Sequence, residues 1–149
     1  MSKRLPPLTA AQVSELVDAH FPQVQEGNGR VSIERIDADE TVVRMGFDER
    51  LIRPGGTVSG PAMFKLADFG VYVAILSRLG EAGLQAVTTS MTVNFLSRPQ
   101  PAALLAHVRI LKIGRRLAVC EVSLYSEGAS DLVAHATSTY AMPPENMIR

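Results

Sequence analysis

The sequence predicts an α+β fold in which an antiparallel sheet wraps around one long central helix. The segment SGPAMFKLADFGVYVAILSRLG, residues 59–80, is apolar on nearly every side and therefore needs cover all round. The chain after this segment alternates apolar and polar residues between short turns, as strands joined by hairpins do. Such strands pair antiparallel, and their apolar face can cover the helix.

The composition favours one globular domain without a nucleic-acid or membrane partner. A chain of 149 residues can bury a substantial core, and we expect a single domain over residues 1–149. Fifteen basic residues balance 15 acidic residues, which gives no indication of a polyanionic partner. The N-terminus lacks an apolar signal region, and the apolar run at 69–76 is shorter than the roughly 20 residues that span a bilayer. We therefore expect a cytoplasmic protein.

The first element is a helix predicted over about residues 9–21. Thr9 and Gln12 have the capping-box spacing, apolar residues recur on one face, and Pro22 ends the helix. The segment QEGNGR predicts a turn. The alternating stretches RVSIERID and TVVRMGF then predict two strands that are joined near residues 37–40.

The central helix follows a loop, DERLIRPGGTVSG. Pro61 suits the first helical position because its missing N–H is not needed there. Roughly 19 residues then form a rod about 28 Å long, which LGEAG closes. Asp68 is the one acid in this helix. Burying an unpaired charge is costly, so Asp68 indicates either a partner or a function.

The second half of the chain is predicted to form four strands. The first, AVTTSMTVNFL, has one face made of Val87, Thr89, Met91, Val93 and Phe95 and a polar face made of Thr88, Ser90, Thr92 and Asn94. Turns at SRPQP, GRR and SEGASD separate it from ALLAHVRILKI, LAVCEVSLY and LVAHATSTYAM. We expect the tail PPENMIR to be loose.

Four segments, GGTVSGPAMFKLADF, VTTSMTVNFLSRP, GRRLAVCEVSLYSE and LVAHATSTYAM, resemble in the same order the hotdog-fold acyl-CoA thioesterases of the phenylacetic-acid-degradation type. The resemblance spans about residues 31–142 and leaves the N-terminal helix aside. It implies the hotdog fold, with two subunits forming a continuous sheet and dimers associating into homotetramers. It also implies hydrolysis of an acyl- or aryl-CoA thioester at the subunit interface, with no cofactor other than the coenzyme A of the substrate.

The resemblance assigns catalytic roles to three residues. Asp68 corresponds to the helix carboxylate that acts as general base or nucleophile, and Gly60 to the glycine whose N–H polarises the thioester carbonyl. Thr88 corresponds to a hydroxyl from the partner subunit that holds the attacking water. A helix N-terminus suits a developing oxyanion. Asp68 lies a little over two turns further on, so we expect it to face roughly the same side as Gly60.

Two departures from the family pattern bear on substrate binding. Ser59 and Pro61 stand where the family commonly has histidine and glycine, and Ser59 cannot shuttle protons near neutral pH. Arg53 stands near a position that is often asparagine. It could pair with Asp68 and weaken it as a base, or bind a substrate phosphate.

Arginines in turns are further candidates for binding coenzyme A, because a guanidinium group matches phosphate. They are Arg98 in SRPQP and the pair Arg115 and Arg116 in GRR. The alternative is that they are ordinary solvated turn residues. Asp68 could likewise be a structural carboxylate paired with Lys65, and Gly60 a plain cap or loop glycine.

Other functions stay open as alternatives. The departures at 53, 59 and 61 are compatible with a non-catalytic acyl-CoA-binding or regulatory protein, which would bind acyl-CoA without releasing thiol. A hotdog dehydratase or hydratase ranks third, because no histidine stands on the central helix or its leading loop. No metal is expected, since His20, His107 and His135 share no ligand spacing and Cys120 is the single cysteine.

Overall fold

The structure, a computed structural model, describes residues 6–144; residues 145–149, most of the tail that we expect to be loose, lie outside that range. Within it the helices are α1 (Ala10–His20) and α2 (Gly60–Leu79). The strands are β1 (Val31–Ile36), β2 (Thr41–Met45), β3 (Ile52–Arg53), β4 (Thr57–Val58), β5 (Val87–Phe95), β6 (Leu104–Ile113), β7 (Leu117–Ser126) and β8 (Leu132–Ala141).

Helix α1 begins where the capping box predicts. The Gln12 N–H donates to Thr9 Oγ1 at 3.1 Å, and the Thr9 N–H donates to Gln12 Oε1 at 2.9 Å. Val13 and Val17 anchor the helix in the core. After the helix, a 3₁₀ turn, Pro22–Gln25, leads the chain towards β1.

Six strands form one antiparallel sheet in the order β1-β2-β6-β7-β8-β5. Strand β5, which directly follows the central helix, therefore lies at an edge of the sheet. Strands β3 and β4 form a separate small hairpin in the segment that the sequence pattern treats as a loop. Gly55 and Gly56 turn this hairpin with φ of 104° and 79°, a region that favours glycine.

Helix α2 packs on one face of the large sheet and confirms the predicted α+β architecture. Its buried side chains include Leu66, Ile75 and Leu76, which are fully shielded from solvent. Gly70 lets the helix approach the sheet closely, since a Cβ there would lie 2.8 Å from Val108 Cγ2. Among the described helices, none is both long and apolar enough to cross a membrane.

Candidate active site

Asp68 lies in the middle of α2 and is held by two hydroxyl groups. Thr88 Oγ1 donates to Asp68 Oδ1 at 2.7 Å, and the Tyr140 hydroxyl donates to the same oxygen at 2.6 Å. The Tyr140 hydroxyl also lies 3.1 Å from the Asp68 backbone oxygen. Within residues 6–144 no group donates a hydrogen bond to Asp68 Oδ2. In the same residues, every buried side-chain nitrogen or oxygen atom has a hydrogen-bond partner, so Oδ2, which has none, is not buried. Oδ2 is therefore accessible to a water molecule or a substrate.

A β-bulge brings Thr88 to the helix side of the sheet. The pairing of β5 with β8 shifts register between Thr88 and Ser90, so that Thr89 is an extra residue. Met91 and Val93 pack against the core, and regular alternation would turn Thr88 away from them. The bulge reverses the alternation, so Thr88 does not share one face with Ser90, Thr92 and Asn94 as predicted. Thr88 also contacts Asp68 of its own chain, whereas the resemblance implies a hydroxyl from the partner.

Tyr140 is the site residue that the sequence analysis missed. It lies on β8 and is 3% exposed. Burial raises the pKa of its hydroxyl far above the usual value, and the negative charge of Asp68 raises it further. Tyr140 therefore stays protonated and donates to the carboxylate. The sequence offers one signal for it: Tyr140 lies on the same strand face as the small residues Ala134, Ala136 and Ser138, which predicts that its ring is buried. A buried tyrosine hydroxyl usually has a hydrogen-bond partner.

Asp68, Thr88 and Tyr140 line one side of an open cleft of about 880 Å³. Its apolar lining comes from the turn after α1, from α2, and from the start of β5 and the segment before it: Phe21, Val24, Phe69, Tyr72, Leu84 and Val87. Lys65 also lines the cleft, but its ammonium group donates to the Gly29 carbonyl at 3.2 Å. The proposed alternative of an ion pair between Lys65 and Asp68 is not formed.

Gly60 is the first residue of α2, at a helix start that Ser59 caps. The Ser59 hydroxyl accepts from the Ala62 N–H at 3.4 Å, and the Ser59 carbonyl accepts from the Met63 N–H at 3.3 Å. The Gly60 N–H has no acceptor among the residues that the structure describes. Eight residues of helix place Gly60 about 12 Å from Asp68 along the axis, so one chain does not bring the two together.

The four candidate arginines are all exposed. Arg98 follows β5 and Arg53 lies on β3, and neither pairs with Asp68 in the described part of the chain. Arg115 and Arg116 form the β6–β7 turn and line a groove of about 950 Å³ together with Lys112. That turn lies at the end of the sheet where Thr88 is found.

Register explains the position of the β6–β7 turn. Ala118 of β7 pairs with Tyr140 of β8, and Tyr140 pairs with Thr88 of β5. Two strand spacings separate Ala118 from Thr88, which is roughly 10 Å. The arginine turn is therefore close to the end of the cleft where Thr88 and Asp68 lie.

The remaining titratable side chains on the sheet lie outside the cleft. His107 pairs with Glu40 at 3.0 Å, and His135 pairs with Glu121 at 3.3 Å. Burial raises the pKa of the Cys120 thiol to about 12, which keeps it protonated and unreactive. Residues 6–144 contain no cluster of three or more histidine, cysteine, aspartate or glutamate side chains that could hold a metal ion.

A six-stranded antiparallel sheet wrapped on one long helix, with a carboxylate in that helix facing a cleft, defines a hotdog-fold enzyme. The sequence profile of the thioesterase superfamily matches residues 55–132, and the chain belongs to that superfamily of thioester hydrolases. The predicted kinship with the hotdog-fold thioesterases is confirmed.

Similar proteins support this assignment over nearly the whole chain. The crystal structure of a candidate thioesterase from Silicibacter sp. is 39% identical, has a TM-score of 0.82, and covers 95% of this chain and 96% of its own. A candidate esterase of Saccharolobus solfataricus is 26% identical over 137 residues, which are 92% of this chain and 87% of that protein. The PaaI protein from the phenylacetic acid degradation operon of Escherichia coli shares the fold, with 19% identity, a TM-score of 0.72, and coverage of 90% and 95% of the two chains.

Proposed function

We propose that this thioesterase hydrolyses acyl-CoA thioesters, with Asp68 as general base or nucleophile. One observation carries the proposal: Asp68 Oδ1 is fixed by two hydroxyls, while Oδ2 stays accessible at an apolar cleft. A carboxylate held in this way can take a proton from an attacking water or attack the carbonyl carbon itself. In the first case the water oxygen bonds to the carbonyl carbon and the C–S bond breaks, which releases the carboxylic acid and coenzyme A as the free thiol. In the second case the C–S bond breaks to leave a mixed anhydride on Asp68, which a water molecule then hydrolyses to the same acid.

Thr88 and Tyr140 have different parts in this proposal. Tyr140 is almost fully buried and its hydroxyl donates to Asp68, so its part is to orient the carboxylate. Thr88 is exposed and lines the cleft. Its hydroxyl donates to Asp68 and keeps lone pairs that can accept a hydrogen bond from the attacking water.

A second copy of the chain supplies the oxyanion donor. The Gly60 N–H has no acceptor within residues 6–144 and lies at a helix N-terminus, which suits the negative charge that develops on the thioester oxygen. The axial separation of about 12 Å from Asp68 is too long for both groups to act on one carbonyl carbon. Gly60 of the partner subunit must therefore approach Asp68 if both take part.

The open edge of β5 offers the surface for this association. Val87, Phe95 and Leu96 are more than half exposed along or beside it, and an unpaired edge strand is a template for pairing. Thr88 lies near one end of β5, and Phe95 near the other end lies beside Gly60. Antiparallel pairing of two β5 strands about their middle would place each Asp68 near the partner's Gly60. Such dimers are expected to associate further into homotetramers, as the resemblance implies.

The phosphates of coenzyme A would be bound by arginines around the cleft. Arg115 and Arg116 lie near Thr88 at the same end of the sheet, and guanidinium groups match phosphate oxygens. In the proposed dimer, Arg98 and Arg53 of the partner subunit would approach from the end of the helix that carries its Gly60.

Replacing Asp68 by asparagine tests the proposal. The amide side chain of the Asp68→Asn variant keeps an oxygen that can accept from Thr88 and Tyr140 but cannot act as a base. Thiol release from a panel of acyl-CoA thioesters should therefore fall at least about 100-fold. Size-exclusion chromatography should show an unchanged oligomer. Asp39→Asn is the matched control, because Asp39 is exposed in the β1–β2 turn at the opposite edge of the sheet from β5.

Two results would contradict the proposal. Asp68→Asn with turnover close to that of the unmodified protein would exclude Asp68 as the catalytic group. Binding of acyl-CoA to the unmodified protein without any thiol release would instead identify a binding or regulatory protein.

A further inference from the structure

We propose that Phe21 and the turn that follows it form the end wall of the acyl-binding part of the cleft and set the longest acyl chain that the enzyme accepts. The inference rests on the proposed function, since it takes the thioester carbonyl to lie at Asp68. It assigns substrate selection to a segment that contributes nothing to the catalytic chemistry.

Successive ring contacts connect the carboxylate to Phe21 through Tyr140 and Tyr72. Tyr140 contacts Asp68, and the Tyr72 ring is stacked with the Tyr140 ring at a centroid distance of 6.5 Å. The Phe21 ring meets Tyr72 edge-on, at 6.0 Å and 88°. An acyl chain that starts at Asp68 and follows this wall therefore ends on Phe21.

The end wall combines an exposed apolar ring with a polar rim. Phe21 is 40% exposed, so an acyl chain that covers it removes further apolar surface from water. Apart from Val24, the other residues of this segment that line the cleft are the polar His20, Gln23 and Glu26. A longer acyl chain would have to continue among these groups and solvent, where burial gains little. The expected substrates are thus apolar acyl thioesters of limited length.

The turn that carries this wall is fixed to the fold at both ends. The Phe21 N–H donates to the Val17 carbonyl at 2.7 Å, and Val17 is buried in the core. The Gln25 side-chain amide donates to the Val31 carbonyl at 2.6 Å and accepts from the Val31 N–H at 3.1 Å. Gln25 therefore ties the turn to strand β1. The wall is a rigid part of the cleft rather than a free tail.

The wall belongs to the part of the chain that lies outside the family match. The superfamily profile covers residues 55–132, which include Asp68 and Thr88 but not Phe21. Relatives can therefore share the carboxylate while differing in the N-terminal segment that closes the acyl site. This separation predicts that substitutions at Phe21 change the preferred acyl-chain length without changing the hydrolysis reaction at Asp68.

The test measures acyl-chain preference in the full-length protein with Phe21→Ala and Phe21→Trp. Dissociation constants for saturated acyl-CoA thioesters of increasing length are measured on the Asp68→Asn background, and kcat/KM with Asp68 intact. Phe21→Ala should raise the preference for longer over shorter chains roughly tenfold, since each buried methylene contributes about fourfold in affinity. Phe21→Trp should shift the preference towards shorter chains.

Phe47→Ala is the matched control, because Phe47 is an exposed phenylalanine beside Met45 and Val58, away from the cleft. It should leave the chain-length profile unchanged. The two Phe21 variants act in opposite directions, so a general loss of folding cannot mimic the expected result.

Three other results would contradict the role of Phe21, and one of them would also contradict the proposed function. If Phe21→Ala leaves the length profile unchanged while the unmodified protein hydrolyses acyl-CoA, the end wall is rejected and the role of Asp68 stands. An equal loss of affinity for acetyl-CoA and longer thioesters would place Phe21 against coenzyme A and also reject the inference. If no acyl-CoA binds to the unmodified protein, both the inference and the proposed function fail.

Discussion

The proposed oxyanion donor can be tested by removing one N–H group at the start of α2. Gly60→Pro does this at the first helical position, where proline is favoured. Residue 60 also precedes Pro61, and any residue with a Cβ there meets the Pro61 ring in the helical conformation. Ser59 has φ −70° and ψ 154°, which is the conformation preferred before proline. A Cβ at position 60 would lie 3.4 Å from the Phe95 ring, within reach of ordinary van der Waals contact. Gly60→Ala adds the same Cβ but keeps the N–H, so it is the matched control.

The expected effect is large on turnover and small on stability. Loss of one oxyanion donor lowers kcat about 100- to 1,000-fold, or roughly 3 kcal/mol of transition-state stabilisation. The Gly60 N–H has no acceptor among the described residues, so its removal breaks no hydrogen bond that stabilises the fold. Gly60→Pro should therefore lower kcat by this factor with nearly unchanged KM, and its melting temperature should be close to that of Gly60→Ala, which carries the same contact with Pro61. Gly60→Ala should retain most of the activity.

Mixing two inactive variants tests whether each site is built from two chains. In a dimer of one Gly60→Pro subunit and one Asp68→Asn subunit, one site would combine an intact Asp68 with the partner's intact Gly60. Random pairing of equal amounts makes about half of the dimers mixed, each with one of two sites restored, so co-expression should recover about a quarter of full activity. If the co-expressed variants release thiol no faster than either variant alone, the two-chain site is refuted. Full turnover by Gly60→Pro alone would refute the oxyanion role.

The remaining predictions concern positioning and packing. Tyr140→Phe keeps the ring but removes the hydroxyl that orients Asp68. A hydrogen bond to a charged group contributes about 1.5–3 kcal/mol, so kcat should fall roughly tenfold or more while KM is nearly unchanged. An unaltered kcat would show that Thr88 alone is enough to orient Asp68. Gly70→Ala forces a Cβ to within 2.8 Å of Val108 and should lower the free energy of unfolding in urea by about 1–3 kcal/mol. Gly46→Ala, whose Cβ would meet nothing within 4 Å, is the control, and an equal effect of both changes would contradict the packing argument.

Most of the fold was predictable because its long elements carry strong local patterns. Helix α1 has a capping box, α2 is apolar on nearly all sides, and the strands of the large sheet alternate between turns. The β3–β4 hairpin was not predicted, since strands of two residues are too short to show alternation. Its position depends on the Ser59 N–H donating to the Leu51 carbonyl, a contact that no local pattern indicates.

The site was only partly predictable because its members are distant in sequence. Asp68 stands out as one charge in an apolar helix, and a local pattern is enough to find it. Its contact with Tyr140 joins residues 72 positions apart, so it depends on how β8 packs beside α2. Gly60 and Asp68 are about 12 Å apart because each residue advances a helix by about 1.5 Å. Two residues that face roughly the same side of a helix can therefore still be too far apart to act together.

Regular alternation of apolar and polar residues along β5 predicts the wrong strand face for Thr88. Strand β5 must cover α2 with its apolar residues between 91 and 95, and regular alternation would turn Thr88 outwards. The extra residue, Thr89, reverses the alternation at the end of the strand where Asp68 lies, and its hydroxyl donates to the Thr139 carbonyl at 3.0 Å. The bulge thus lets one strand both cover the helix and present a hydroxyl to its carboxylate. Because a sequence pattern assumes constant alternation, the irregularity that positions Thr88 could not be predicted from that pattern.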